Sequence, residues 1–240
     1  MSAAERRGAA RMAVVWDDLR EVLDGAGSVV DIGGGTGGFA VPVAERGLQV
    51  TVVDPSPDAL AALARRAAES GVADRVVGRQ GDLHDLPAMV APGSVDLVLC
   101  HGVLDVLPEP VEALARLHEV LRPGGTLSLV VAQRHAAVLA RAMAGHFGQA
   151  LALLDESEEP EPGRGIRRRF TADELLELLR GAGFSPAEPR GIRIFADLVP
   201  GSLLDLEPGA TQALVSLEAA VSRRPEFLPL ATQVHVLATA

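Results

Sequence analysis

The chain of 240 residues contains no lysine, no asparagine and no tyrosine, and its one cysteine is Cys100. Each absence removes a chemistry. Without lysine there is neither a Schiff-base amine nor a phosphate-loop cation of that type, and without tyrosine there is no phenolic acid. A single cysteine forms no intrachain disulfide, which fits a reducing compartment. No apolar run is long enough to span a bilayer, and the opening Met-Ser-Ala-Ala-Glu-Arg-Arg lacks the apolar core of a signal segment. The expectation is a cytoplasmic protein with no membrane contact. No internal repeat and no charge-rich tail stand out, and no metal is expected.

All 22 basic residues are arginine, against 32 acidic ones, for a net charge of −10. That balance disfavours extended, sequence-blind binding to nucleic-acid phosphates. One basic cluster stands apart. Arg164, Arg167, Arg168 and Arg169 follow a Pro/Glu-rich loop over 155–165, and they read either as solvated loop charge or as a phosphate contact. With 48% apolar residues the chain is globular, and its length suits one α/β domain over 1–240.

The stretch Val29-Val30-Asp31-Ile32-Gly33-Gly34-Gly35-Thr36-Gly37-Gly38 organises the rest. A short apolar run that ends in an acidic residue and then glycines predicts a buried strand, a tight turn and a helix from Phe39 to Arg46. Gly33, Gly35 and Gly38 also satisfy the dinucleotide pattern, in which pyrophosphate rests on the helix N-terminus. Asp31 separates the two uses: a carboxylate aimed into the turn repels pyrophosphate and suits a ligand carrying ammonium and sulfonium groups. S-adenosylmethionine is such a ligand. Asp31-x-Gly33-x-Gly35-x-Gly37 resembles the glycine spacing of the class I methyltransferases.

Before that turn, Met12, Val15, Trp16, Leu19 and Leu23 predict an amphipathic helix over 11–24. After it, Leu48 to Val53 is a second strand closed by Asp54 and Pro55. Asp54 stands about 20 positions past the first glycine, where a carboxylate accepts the ribose hydroxyls, although an aspartate there can also cap the next helix. Ser56 and Asp58 open that helix, and Gly71 ends it. A third strand from Arg75 leads to the loop Gly81-Asp82-Leu83-His84-Asp85. Asp82 with the Leu83 amide suits an adenine edge, and Asp85 competes for the role. A fourth strand, Val95 to Cys100, ends in His101-Gly102, without the Asn/Asp-Pro-Pro-aromatic of amino-nitrogen methylation; Cys100 reads as a buried small hydrophobe. A helix over Pro110 to Leu121 and a fifth strand, Thr126 to Val131, follow. Helical periodicity then runs from Arg134 to Leu154, and 134–182 reads as a lid or substrate insertion or as ordinary core packing. Thr171 and Glu174 form a capping box. Ile192 to Phe195 and Gln233 to Thr239 are the last strands.

The later stretches resemble a narrower family, the tRNA 5-carboxymethoxyuridine carboxyl methyltransferases. They are Arg11 with Trp16-Asp17-Asp18-Leu19, His101-Gly102-Val103-Leu104-Asp105, Leu121 to Leu129, His135 with Ala144-Gly145-His146-Phe147, Gly191 to Phe195, and Val234-His235-Val236. The resemblance implies a Rossmann-like, seven-stranded, mostly parallel sheet with one antiparallel edge strand and helices on both faces. It also implies S-adenosylmethionine as cofactor, with Arg11 on its methionine carboxylate, Gly33 and Gly34 in the turn, Asp54 on the ribose and His101 near the methyl group. His101 and His135 are the candidates to orient the acceptor, and Arg134 or Arg193 to pair with its charge. Ala196 and Leu198 stand where the family tends to place histidine and tyrosine. The acceptor is therefore expected on tRNA or on a small acidic or phenolic molecule. A nicotinamide-dependent oxidoreductase and a non-catalytic cofactor-binding protein are the readings of other classes.

Overall fold

A computed structural model describes residues 3–154, 168–200, 203 and 209–240, with side chains from residue 12 onward. Five strands, β1 (Ser28–Ile32), β2 (Gln49–Asp54), β3 (Val76–Gln80), β4 (Val95–His101) and β5 (Leu121–Ala132), run parallel. Three more follow late in the chain: β6 (Ser185–Pro186), β7 (Arg190–Ile192) and β8 (Gln233–Thr239). The sheet has eight strands in the order β3-β2-β1-β4-β5-β8-β6, with β7 also pairing β8. β8 is the strand that runs antiparallel to its neighbours. Eight replace the expected seven because the stretch before the last helix divides into two short strands on one partner.

Side chains alternate across the sheet, so register decides which layer each one meets. On one face Val98, Cys100, Leu127, Leu129, Val234 and Val236 pack with α4 (Leu86–Met89), α5 (Pro110–Val120) and α8 (Ala172–Gly181). On the other, Val29, Leu97, Leu99 and Val130 meet α1 (Ala3–Gly25), α2 (Ala40–Glu45) and α3 (Pro57–Glu69). The helix ends follow local rules. Ser56 caps α3 by accepting the Ala59 amide ahead of Pro57, and Thr171 with Glu174 forms a complete capping box on α8.

Two expected elements end earlier than the periodicity suggested. The helix read from Arg134 to Leu154 is broken at Gly145, whose left-handed φ of 79° ends α6 (Arg134–Met143) before α7 (Phe147–Leu154) begins. The apolar stripe of that pair is not core: Met143, Phe147 and Leu151 are 73%, 71% and 60% exposed. The strand expected to reach Phe195 stops at Ile192, because Arg193 turns left-handed at φ 60°. Glu218 of α9 (Ala210–Val221) causes the departure. Its carboxylate is buried and accepts the amides of Ile194 at 3.0 Å and of Phe195 and Ala196 at 2.7 Å. No described helix is long and apolar enough to cross a membrane.

Removing the Glu218 carboxylate leaves three amides, those of buried Ile194 and Ala196 and half-buried Phe195, without their acceptor. Glu218→Ala should therefore lose on the order of 3 kcal/mol in urea melts, with Glu218→Gln losing less. Equal midpoints for Glu218→Ala and the parent chain would refute this account of the turn.

Candidate active site

The strand order reverses between β1 and β4, and in open α/β sheets the crevice at the carboxyl ends of such strands is where ligands settle. Both sequence signals arrive there, the glycine turn from β1 and His101 from β4. The Gly33 amide donates to the Val53 carbonyl at 2.8 Å, which holds the turn against β2. Gly33 and Gly35 adopt φ of 67° and 55°, a region costly for other residues. At Gly34 the constraint is space: a Cβ there would lie 2.5 Å from Asp31 Oδ2 and 2.9 Å from the Val52 side chain.

Asp31 and Asp54 supply the charge. Asp54 is tied on both oxygens, Oδ2 accepting the Gly35 amide and Oδ1 the Ser56 amide, each at 2.9 Å. Ser56 thus caps α3 while Asp54 braces the glycine turn from β2. Asp31 is buried, and its Oδ2 has no hydrogen-bond partner among the described residues. Burial, with a smaller push from the Asp54 charge, raises the Asp31 carboxyl to about 7. An unpartnered buried carboxyl beside a glycine backbone is a ready partner for an ammonium group.

His101 lies at the end of β4 with Phe39 edge-on at 4.6 Å, and Phe39 stacks on Trp16 at 4.8 Å. Its Nε2 lies 2.9 Å from Ser128 Oγ, and the same hydroxyl lies 2.9 Å from His235 Nε2. His235 Nδ1 meets Asp18 Oδ2 at 2.9 Å, and Asp18 pairs with Arg190. His101 Nδ1 is buried with no partner among the described residues. Desolvation first, and His235 second, lower the His101 ring to about 3, so it is neutral at physiological pH. Cys100, one residue earlier, is fully buried, and burial pushes its thiol up to about 12.

The remaining candidates are dispersed. Asp82 is exposed on the loop after β3 and accepts the His84 amide at 2.7 Å, while Asp85 Oδ2 accepts the Asp82 amide at 3.1 Å. Leu83 is buried beside it, and Pro55 is exposed after β2. His135 is exposed on the first turn of α6. Arg134 makes a bidentate pair with Glu174 at 2.8 and 2.9 Å, joining α6 to α8, and Arg193 pairs with Asp197 at 2.6 Å. Both guanidinium groups already hold carboxylates of this chain. Arg11 lies in α1, but its side chain falls outside the described residues, as do Arg164 and Arg167 altogether. Arg168 is exposed, and its amide donates at 2.7 Å to the carbonyl of Asp105, just after β4. Arg169 is partly buried and its carbonyl accepts Arg134 Nη2 at 3.2 Å.

Sequence reasoning assigned no role to Asp18, Ser128 or His235. A signal was present: Ser128 and His235 are each flanked on both sides by apolar strand residues, and buried polar groups are rarely left without partners.

Comparison with known proteins places these features in context. A family described as "Methyltransferase domain" matches residues 30–127. The tRNA 5-carboxymethoxyuridine methyltransferase of Escherichia coli K12 is 30% identical over 238 residues, covering 97% of this chain and 88% of that protein. A ubiquinone biosynthesis O-methyltransferase of Xanthomonas campestris is 36% identical over 126 residues, 52% of this chain and 51% of the relative. Among solved structures, an S-adenosylmethionine-dependent methyltransferase from Mesorhizobium loti has a TM-score of 0.62 at 20% identity, covering 96% of this chain and 100% of that one.

The Asp31 carboxyl binds its proton more tightly in the folded chain than at the ordinary value of 3.8, since its folded value is about 7. Its contribution to stability is complete below the lower value and is lost as pH rises through the upper one. Urea melts at stepped pH should show stability falling across that window, and Asp31→Asn should flatten the fall. Parallel curves for the two proteins would refute the assignment.

Proposed function

Because this chain belongs to the class I S-adenosylmethionine-dependent methyltransferases, we propose that it methylates an oxygen, the carboxylate of 5-carboxymethoxyuridine in tRNA. The end-to-end relation to the Escherichia coli tRNA enzyme carries this reading. S-adenosylmethionine is the cofactor, and the residues at the β1–β4 crevice suit it. Asp31, whose Oδ2 has no partner among the described residues, would take the ammonium group. The side-chain-free backbone at Gly33 and Gly34 would let it approach closely. Each Asp54 oxygen holds one amide and keeps lone pairs to accept ribose hydroxyls. Arg11 would pair with the methionine carboxylate, and Pro55, Asp82 and Leu83 would border the adenine.

Bound there, S-adenosylmethionine supplies an electrophilic methyl group on a sulfonium. A carboxylate acceptor is already a nucleophile, so this chain need not remove a proton from it; positioning and exclusion of water supply the rate. His101 would orient the acceptor oxygen. The exposed stripe Met143, Phe147 and Leu151, on the segment 134–182 that follows β5, supports a role for this segment in covering the acceptor. Arg164, Arg167, Arg168 and Arg169 would meet tRNA phosphates. A second reading, a hydroxyl of a small acidic or phenolic molecule, draws support from the partial relation to the ubiquinone O-methyltransferase.

Two measurements test this. Labelled methyl should pass from S-adenosylmethionine to intact tRNA containing carboxymethoxyuridine and be released by mild alkali; no label with cofactor binding intact would reject the tRNA acceptor. Asp54→Ala should weaken cofactor binding roughly tenfold to a hundredfold by calorimetry, the value of one or two hydrogen bonds to a charged group. Unchanged affinity would remove Asp54 from the site.

A further inference from the structure

His101, Ser128 and His235 lie on adjacent strands of one sheet face, by register as well as by contact. β4 pairs His101 with Val130, and β8 pairs His235 with the same Val130, two residues from Ser128. A run of polar side chains therefore crosses the sheet under α1, from His101 through Ser128 and His235 to Asp18.

The positions of the protons follow from donor and acceptor counts. Burial works to raise the Asp18 pKa, but the bonds and charges of His235 and Arg190 outweigh it and hold the carboxyl below its usual range. An anionic Asp18 requires a proton on His235 Nδ1. The Ser128 hydroxyl has one proton to share between two imidazole nitrogens 2.9 Å away on either side. With His235 neutral, its Nε2 is a lone pair: Ser128 donates to it, His101 Nε2–H donates to Ser128, and His101 Nδ1 is left as an acceptor. With His235 doubly protonated the order inverts. Its Nε2–H donates to Ser128, Ser128 donates to His101 Nε2, and His101 Nδ1 carries the proton.

We propose that Asp18, His235 and Ser128 form a proton-transfer chain that sets the polarity of His101 Nδ1, so that one proton stored on His235 makes Nδ1 a donor to an acceptor carboxylate. The balance is simple. A proton enters at His101 Nδ1, the Nε2 proton of His101 passes to Ser128 Oγ, and the Ser128 proton passes to His235 Nε2. No heavy atom moves, and the charge arrives beside Asp18. His101 stays a neutral ring in both states, in keeping with a ring too desolvated to hold charge. The charged groups packed around His235 are Asp18 in contact, Asp17 3.5 Å from Arg190, Arg190 itself on β7, and Arg223 3.9 Å from Asp18. Around His101 the described contacts are Phe39 and Ser128, neither charged, with His235 at 6.3 Å between ring centroids. Ser128, His235 and Asp18 are then positioning residues, acting on the acceptor through His101. The use toward a carboxylate rests on the proposed acceptor; the switch rests on the hydrogen-bond chain alone.

The test is 15N NMR of protein labelled in its histidine rings, with His101→Gln and His235→Gln assigning the signals. As the pH is lowered stepwise, the His101 nitrogens should exchange their protonated and unprotonated shifts when His235 gains its proton. In Ser128→Ala the exchange should disappear while His235 still titrates, and Asp18→Asn should move its midpoint to lower pH; cofactor binding by each variant verifies the fold. A His101 ring of fixed tautomer through the titration of His235, or over the whole range, overturns the proposal. Adding carboxymethoxyuridine with S-adenosylhomocysteine should raise the midpoint by a unit or more. A midpoint that stays in place overturns the carboxylate role, whatever the outcome of methyl transfer to tRNA.

Discussion

The pairing of Asp18 with Arg190 and His235 holds the first helix to the last strands, and the site depends on it. Asp18 comes from α1, Arg190 from β7 and His235 from β8, more than 170 residues apart in sequence. A buried ion pair is a weak source of net stability, because desolvation of both charges offsets their attraction; breaking one by removing a partner is costly. What the cluster supplies is placement. It fixes the helix that carries Trp16 against Phe39 and that leads back to Arg11, and it does so on the sheet face that bears Asp31 and His101.

That face combines two kinds of cohesion. Val14, Val15 and Leu19 bury against β-strand valines and leucines, which sets the layer distance. Polar residues break the apolar layer at the carboxyl ends of β1 and β4 and along β5 and β8, and each finds a partner among the described residues apart from Asp31 Oδ2 and His101 Nδ1. The opposite face carries the apolar cluster that packs on α5 and α8. Chemistry is thus confined to one side of the sheet, at the end where the strand order reverses. The other end is closed by a structural ion pair: Asp96 accepts the amides of Gly27 and Ser28 and pairs with Arg122 at 2.5 Å, which holds its carboxyl well below the usual range.

Local signals in the sequence were strong where one residue type answers one backbone need. The Ser56 cap and the Thr171 capping box were legible because each satisfies amides within a few residues, and the glycine turn because its positive φ angles favour glycine. The break at Gly145 and the early end of β7 were not, the first because apolar periodicity continues across the glycine, the second because its cause, Glu218, lies 22 to 24 residues away. The same limit hid the site's wiring. Asp31, Asp54 and His101 stood out at strand ends, whereas Ser128 and His235 acquire meaning only when β5 and β8 are brought side by side. Arg134 and Arg193 show another limit: nothing in the sequence signals that the carboxylates of Glu174 and Asp197 already pair with these cations.

Cys100 sits in the middle of this arrangement, on β4 directly before His101, with no exposed surface and a thiol that burial keeps protonated. The thiolate is the reactive form, so the native protein is inert to alkylating reagents and to peroxide at this position. Since the chain has no other cysteine, a thiol-specific adduct reports a molecule whose central strand has come open. The fold thus carries a clock for its own breathing on its central strand, read on the sheet face turned away from the site by the mass of one thiol adduct.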